Sequence, residues 1–230
     1  TLSADEEKRI NNVQQALGED PEKLRSYMEI SRFRYETIGR LFLERCLRKP
    51  GSFFNRLALK AYLNLHRLGL FSSLDSWNKI MFRNPLTRQL FNRYATYNGS
   101  DPYQTPAVMA MIPHLEFGVG AFFPGGGMVR ITESLVKLAQ EQGVEIRNHA
   151  AASRLEAAGS RVSGVYCGKE YFPCDVLVSA LDVSLTYTLL PGKKSAAGRY
   201  ARLPKSTSAI IWYWGIRRNC PETGLHNLFF

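Results

Sequence analysis

The chain has 230 residues, 45% of them hydrophobic and 12% aromatic, with a formal net charge of +10. That apolar content excludes a disordered segment and fits one large domain or two small ones. The four cysteines form no C-x-x-C pair and have no histidine at ligand spacing, which argues against zinc and for free thiols in a reducing compartment.

Residues 3–97 read as successive helices. Ser3 with Glu6 has the spacing of a capping box, and Pro21 suits the first turn of a second helix. Pro50-Gly51 ends a third stretch, with Ser52 as a cap for the next. Asn84-Pro85 opens a helix whose apolar stripe is Leu86, Leu90, Phe91 and Tyr94. The cluster Asn98-Gly99-Ser100-Asp101-Pro102 is a turn, and 105–115 is a short helix stopped near Pro113.

The longest apolar stretch, Val108 to Phe123, is interrupted by Pro113, His114 and Glu116, so it falls short of the ~20 apolar residues of a bilayer span. No signal peptide is recognisable, and the first residue is Thr1 rather than a start methionine. Gly118-Val119-Gly120-Ala121-Phe122-Phe123 approaches a dinucleotide fingerprint but has Phe at the sixth position, so it reads as strand or loop.

After Met128 the character changes. An amphipathic helix carries Ile131, Leu135 and Leu138 on one face, and Gly143-Val144-Glu145-Ile146 reads as a helix C-cap followed by a short strand. Ala151–Glu156 and Arg161–Cys167 form a hairpin about Ala158-Gly159-Ser160. Asp175–Ala180 has the continuous apolar pattern of a buried strand, and Asp182 caps a helix that Pro191-Gly192 stops. Ser208–Ile216 alternates as a strand with Ile210, Trp212 and Trp214 on one face. So few long strands cannot cover both faces of an α/β layer, which places their partner strands outside this chain.

The charge is concentrated. Between Gly39 and Arg93 eleven Lys and Arg face only Glu44 and Asp75, a local excess of +9 interleaved with Leu, Phe and Tyr. Such a block suits an anionic membrane surface, and a solvated basic face explains it equally well. Nucleic acid ranks lower because no binding motif accompanies the charge. The aromatics Tyr94, Tyr97, Tyr103, Phe122 and Phe123 suit either an apolar ligand tunnel or ordinary core. His114 and Glu116 stand beside the run Phe123-Pro124-Gly125-Gly126-Gly127-Met128. The glycines suit close approach of something flat, while the His–Glu pair fits either acid–base chemistry or a satisfied turn.

In order, these segments resemble the carotenoid desaturases of the phytoene desaturase type. The resemblance rests on Phe91–Pro102, Thr105-Pro106, Ile112–Glu116, Phe123–Met128, the Leu138-Ala139…Gly143-Val144 spacing, Asp175–Asp182 with Thr186-Tyr187, and Ser206–Gly215. It covers residues 73–230; the first 72 match only in being helical.

The resemblance implies an α/β chain (α+β over these residues) that is part of a two-domain, FAD/NAD(P)-binding Rossmann-like flavoprotein with a helical and β-sheet substrate domain. Residues 1–123 would be the helical, substrate-binding and membrane-facing region, 124–190 part of the FAD-binding domain, and 191–230 a return to the substrate-domain sheet. Gly125, Gly126, Gly127 and Met128 would lie near the isoalloxazine. Ala152 would face the adenine, where the family commonly has Val. Ala180, Leu181 and Asp182 would line the cofactor, Leu181 replacing a residue more often small or polar.

The reaction implied is FAD-dependent desaturation of a carotenoid polyene, with Glu116 and Arg93 as acid–base candidates, no metal and no nucleic acid. Because the substrate is lipophilic, the protein is expected to be cytoplasmic and peripherally membrane-associated. The N-terminal G-x-G-x-x-G and the C-terminal flavin segment of the family are absent here, so the chain is expected to be an internal or truncated portion, inactive and colourless by itself. A retinol saturase or amine-oxidase-like flavoenzyme, and a non-catalytic lipid-binding helical module, are the competing expectations.

Overall fold

Aspartate and asparagine side chains start five of the ten α-helices among the described residues. The computed structural model describes Ser3, residues 5–45, 48–159 and 161–215, and Arg217. Helix α1 (Glu6–Leu17) is capped by Asp5, which accepts from Lys8 N–H at 3.0 Å. The expected Ser3–Glu6 box is therefore corrected: the Ser3 hydroxyl instead accepts from Asp5 N–H, because the carboxylate two residues nearer the helix takes the free donor. Helix α2 (Pro21–Arg34) is capped by Asp20 with Pro21 in its first turn and runs through a π-turn, Tyr35–Gly39, into α3 (Arg40–Glu44).

A 3-10 turn at Pro50–Phe53 precedes α4 (Arg56–Leu63), whose cap is Asn55, accepting from Ala58 N–H, rather than Ser52. Helices α5 (Leu74–Met81) and α6 (Pro85–Asn92) follow, capped by Ser73 and Asn84. A 3-10 segment, Arg93–Asn98, ends at Gly99 in the left-handed region. The chain then passes a 3-10 turn at Ala107–Met111, the single turn α7 (Ile112–His114), and a π-turn at Leu115–Val119. Pro113 does not stop the helix as expected. It sits in the first turn of α7, where a missing N–H costs no helical bond. Part of the stretch expected as strand or loop, Gly118-Val119, is thus helical.

Residue contacts divide the chain into two units: the residues up to Phe122 together with those from Ser206 on, and Phe123–Lys205. The first has an aromatic centre. Tyr27 meets Phe82 and Phe91 at ring distances of 4.9 and 4.6 Å, Phe82 stacks on Phe91 at 4.8 Å, and Phe91 reaches Tyr94 at 6.1 Å. Ile10, Val13, Leu24 and Leu74 close around them. Leu86, expected on the apolar stripe of α6, is exposed, while Phe91 and Tyr94 are buried.

Polar groups lock the same unit. Buried Glu19 accepts the N–H groups of Arg83 and Asn84, fixing the entry to α6. Fully buried Arg34 donates to Ala107 O at 2.7 Å and to Arg67 O at 3.4 Å, and lies 4.3 Å over the Trp77 ring. Burial pushes its pKa down to about 10, against an opposing effect of Tyr27. Leu74 and Asp75 N–H groups bond to Thr105 O and Pro102 O, so the turn after Gly99 is tied to the start of α5.

The second unit contains α8 (Val129–Glu141), an antiparallel meander β1 (Ala152–Ala158), β2 (Arg161–Cys167) and β3 (Glu170–Pro173), then α9 (Val183–Leu189) and α10 (Lys194–Ala201). Leu155, opposite Val165, and Gly164 are the buried positions of the sheet. β3 and α10 were not anticipated: one is four residues ending at Pro173, and the other buries only Ala197.

The strands expected at 144–146, 175–180 and 208–215 do not form; Ile216 lies outside the described residues. Val178 is 91% exposed and Trp214 80%. A strand exists only where a neighbour accepts its ladder, and β1–β2–β3 pair only among themselves. α8 forms as expected, yet Ile131, Leu135 and Leu138 are all exposed.

Candidate functional site

The two acid–base candidates, 23 residues apart in sequence, meet. Arg93 Nη2 donates to Glu116 Oε1 at 2.9 Å and Oε2 at 3.1 Å. Tyr97 Oη donates to Glu116 Oε2 at 2.9 Å, and Arg93 Nη2 also reaches Tyr94 Oη at 3.0 Å. The arrangement follows from local backbone. In a 3-10 segment residues three apart eclipse, so Tyr94 and Tyr97 stand on one side with rings 5.6 Å apart. Tyr94 is buried against Phe91 and anchors the segment, whereas Tyr97 is 59% exposed. Glu116 projects from the π-turn, closed by Gly120 N–H to Leu115 O at 3.0 Å. Within that turn a Cβ on Gly118 would stand 2.4 Å from the His114 ring, so only glycine leaves the imidazole its place.

Electrostatics keep these groups in defined states. Burial pulls the Arg93 pKa down, but Tyr94 and Glu116 more than offset it, and the guanidinium titrates above its ordinary value. Burial raises the Tyr94 and Tyr97 hydroxyls, assisted by Glu116 and opposed by Arg93, so both phenols stay protonated. His114 stands apart from the cluster. Its ring packs on Tyr35 at 5.4 Å, its backbone N–H donates to Ser31 Oγ, and burial, aided by Arg32, lowers its pKa against Glu36. With Phe117 and Gly118 it lines a charged cleft of ≈ 520 Å³ that also holds Arg9, Arg25, Arg32 and Glu36.

The cofactor candidates lie in the second unit. Pro124–Gly127 is a turn closed by Gly127 N–H to Pro124 O at 3.0 Å, with Gly126 and Gly127 at φ 87° and 93°. A Cβ at Gly125 or Gly127 would meet nothing within 4 Å, so the turn presents bare, open backbone directly before Met128 and α8. That surface fits the flat face of a flavin ring. Ala152 opens β1, and Ala180 and Leu181 precede α9, which packs against β1; all three are exposed. Asp182 is engaged as the cap of α9. It accepts from Ser184 N–H at 2.8 Å and from the Ser184 hydroxyl, and lies 3.5 Å from Lys205 Nζ. Those contacts, the Ser184 bonds foremost, lower its pKa.

Sequence reasoning paired neither Glu116 with Arg93 nor either with a tyrosine. The three-residue spacing of Tyr94 and Tyr97 was the available signal, but it points one way in a 3-10 turn and another in an α-helix.

The profile of the flavin containing amine oxidoreductase family matches residues 5–216, and the chain belongs to that flavin-containing family. It is similar to curated carotenoid desaturases. It shares 42% identity over 207 residues with a 1-hydroxycarotenoid 3,4-desaturase of Flavobacterium sp., covering 90% of this chain and 42% of that protein. With a hydroxyneurosporene desaturase of Cereibacter sphaeroides it shares 36% over 161 residues, 69% of this chain and 32% of that one. With a zeta-carotene-forming phytoene desaturase of Myxococcus xanthus the identity is 33% over 151 residues, 65% of this chain and 29% of the other. The chain thus spans less than half the length of these relatives. Among the described residues no helix is long and apolar enough to cross a membrane.

Proposed function

We propose that the whole protein is an FAD-dependent oxidoreductase that desaturates a carotenoid polyene. The observation that carries this reading is the 42% identity to a carotenoid desaturase over 90% of the chain. The open glycine turn and the Arg93–Glu116 pair support it. Bound FAD would supply the hydride acceptor, a role no protein side chain can fill. Gly125, Gly126, Gly127 and Met128 would bound its ring, Ala152 would face the adenine, and Ala180, Leu181 and Asp182 would flank it. In this reading 1–123 forms the helical substrate region, 124–190 part of the FAD domain, and 191–230 returns to the substrate sheet.

Desaturation removes a hydride and a proton from adjacent carbons. Glu116 is the carboxylate assigned to the proton, on the lone pairs that Arg93 and Tyr97 leave open, and Arg93 fixes its position. The test is turnover by the flavin-loaded protein at the length of its relatives. Glu116→Gln is expected to lower kcat by ~10²-fold or more, the usual weight of acid–base catalysis. A variant that keeps full turnover removes Glu116 from this role.

A peripheral membrane surface belongs to the same reading. α4 buries Ala58 and Ala61 and exposes Leu59 and Leu63, with Arg56 and Lys60 on the same helix; Phe54 and Phe71 are exposed beside it in sequence. Apolar side chains among cations suit an anionic headgroup layer. Co-sedimentation with anionic liposomes is expected, and charge reversal at Arg48, Lys49 and Arg56 should abolish it. Binding without flavin or turnover in the full-length protein would favour the non-catalytic lipid-binding module instead.

A further inference from the structure

Arg34 is a buried cation that no carboxylate of the described residues neutralises. It is fully enclosed, and its hydrogen bonds go to two carbonyls, Ala107 O at 2.7 Å and Arg67 O at 3.4 Å. The face of Trp77 covers its guanidinium at 4.3 Å. No acid is among the groups that move its pKa, and at about 10 it stays charged at neutral pH. A charge taken out of water is normally paired, because neutral dipoles repay only part of its lost hydration. Gly69 passes over this group at φ 72°, and a Cβ there would stand 2.7 Å from Arg34 Nη2, so the loop is shaped around the guanidinium.

Arg34 also forms part of the wall of a pocket of ≈ 260 Å³, set between α2, the 3-10 turn Leu65–Arg67 and α5. Its titratable lining residues are Arg34, Arg67 and His66, and none is acidic. Donors around it are unspent. The Arg67 guanidinium lies 4.4 Å over the Phe33 ring and makes no ion pair or hydrogen bond among the described residues. Trp77 Nε1 is buried without a partner. Ser72 is exposed, and its hydroxyl makes no hydrogen bond among the described residues. The volume lies below the roughly 300–1,000 Å³ of pockets that enclose drug-sized ligands, so it suits a small group rather than a polyene. Positive charge with N–H and O–H donors on separate walls suits an oxyanion. A phosphate turns its acceptors toward several walls at once, whereas a carboxylate holds two in one plane.

We infer that this pocket binds a phosphate group. Arg67 and Ser72 donate to its oxygens from the rim, and Arg34, sealed behind them, adds a charge that water screens little. Exposed Leu65 and Phe71 adjoin the lining residues in sequence, so a phospholipid headgroup is one source of the phosphate and a soluble phosphate the other. None of Arg93, Tyr97 and Glu116 lines the pocket, and the site does not depend on the desaturation chemistry.

The experiment uses the protein at the length of its relatives, with FAD in excess so that a cofactor's own phosphate site is filled. Inorganic phosphate is titrated by calorimetry at constant ionic strength, with acetate as the control anion. One saturable phosphate site is expected. Arg67→Ala should weaken it ~10-fold or more, the weight of a charge-assisted hydrogen bond, and Ser72→Ala should weaken it less. Arg34 is packed in the core and its replacement risks the fold, so the exposed Arg67 and Ser72 carry the test. The source is read from vesicles of phosphatidylcholine with phosphatidic acid, against vesicles of equal surface charge in which oleate replaces the phosphatidic acid. A preference for phosphatidic acid that Arg67→Ala removes assigns a lipid headgroup. Phosphate binding without that preference assigns a soluble phosphate, and either result supports the inference. No phosphate site together with no preference for phosphatidic acid overturns it. Acetate binding as tightly as phosphate overturns it too, as does binding that neither Arg67→Ala nor Ser72→Ala weakens.

Discussion

The two units of this chain are built on opposite terms. In the first, apolar periodicity finds a counterpart: Tyr27, Phe82, Phe91 and Tyr94 interlock, and Leu74 is fully enclosed. In the second, α8 has as clear an apolar stripe and buries none of its residues, while 175–181 forms no strand and, apart from half-buried Leu177, is exposed. Only Leu155, Gly164 and Ala197 of that unit are buried among the described residues. The difference separates two things that a sequence pattern encodes together. An amphipathic pattern and a capping residue suffice to shape an element, whereas its contribution to stability depends on what covers its apolar face.

Three substitutions put pressure on this contrast. Tyr27→Ala removes the ring that both Phe82 and Phe91 pack against, and should lower the unfolding free energy of the chain by about 3–5 kcal/mol in urea titration. A loss under 1 kcal/mol would mean that the aromatic centre of the first unit is not its core.

Asp75→Asn should cost about 1.5–3 kcal/mol at neutral pH, the worth of a charge-assisted hydrogen bond. Burial pushes the Asp75 carboxyl up, but Lys79 Nζ at 2.6 Å and Asn92 Nδ2 at 2.9 Å outweigh it and hold its pKa below the ordinary value. A folded-state pKa below the unfolded one gives stability that is present above the unfolded value and lost as pH falls through the folded one. The unfolding curves of the wild-type protein and the Asp75→Asn variant should therefore converge in acid, once the pH has fallen through the folded-state pKa, below the ordinary value of 3.8. A gap that stays constant down to that pH would assign the cost to shape rather than charge.

Leu135→Ser, on the exposed stripe of α8, should change the stability of this chain by less than about 0.5 kcal/mol, the range of ordinary surface substitutions. A loss above 1.5 kcal/mol would show that the stripe is covered in solution and would erase the contrast.

Much of the local structure was legible in the sequence. Pro21, Asn84-Pro85 and Asp182 opened the helices they were expected to open, because a proline's fixed φ in a first turn and a side-chain oxygen near a free N–H are local matters. The β1–β2 hairpin was legible for the same reason: its partner strands are adjacent in sequence. The strands expected at 144–146, 175–180 and 208–215 were misread because a continuous apolar run specifies a buried strand only if another strand is there to pair with it. Pro113 was misread as a stop because the sequence does not say which helical position a proline will take.

The sequence by itself determined the family order of the segments, the caps at Asn84 and Asp182, the glycine turn and the candidacy of Glu116 and Arg93. Only the tertiary structure joined those two residues and brought Tyr97 to them. A 3-10 segment and a π-turn set their directions, and the packing of Tyr94 on Phe91 anchors the first of them to the core. Caps, turns and periodicity act over a few residues and can be read from a string. An ion pair between residues 23 apart exists only after the chain between them has folded back on its core.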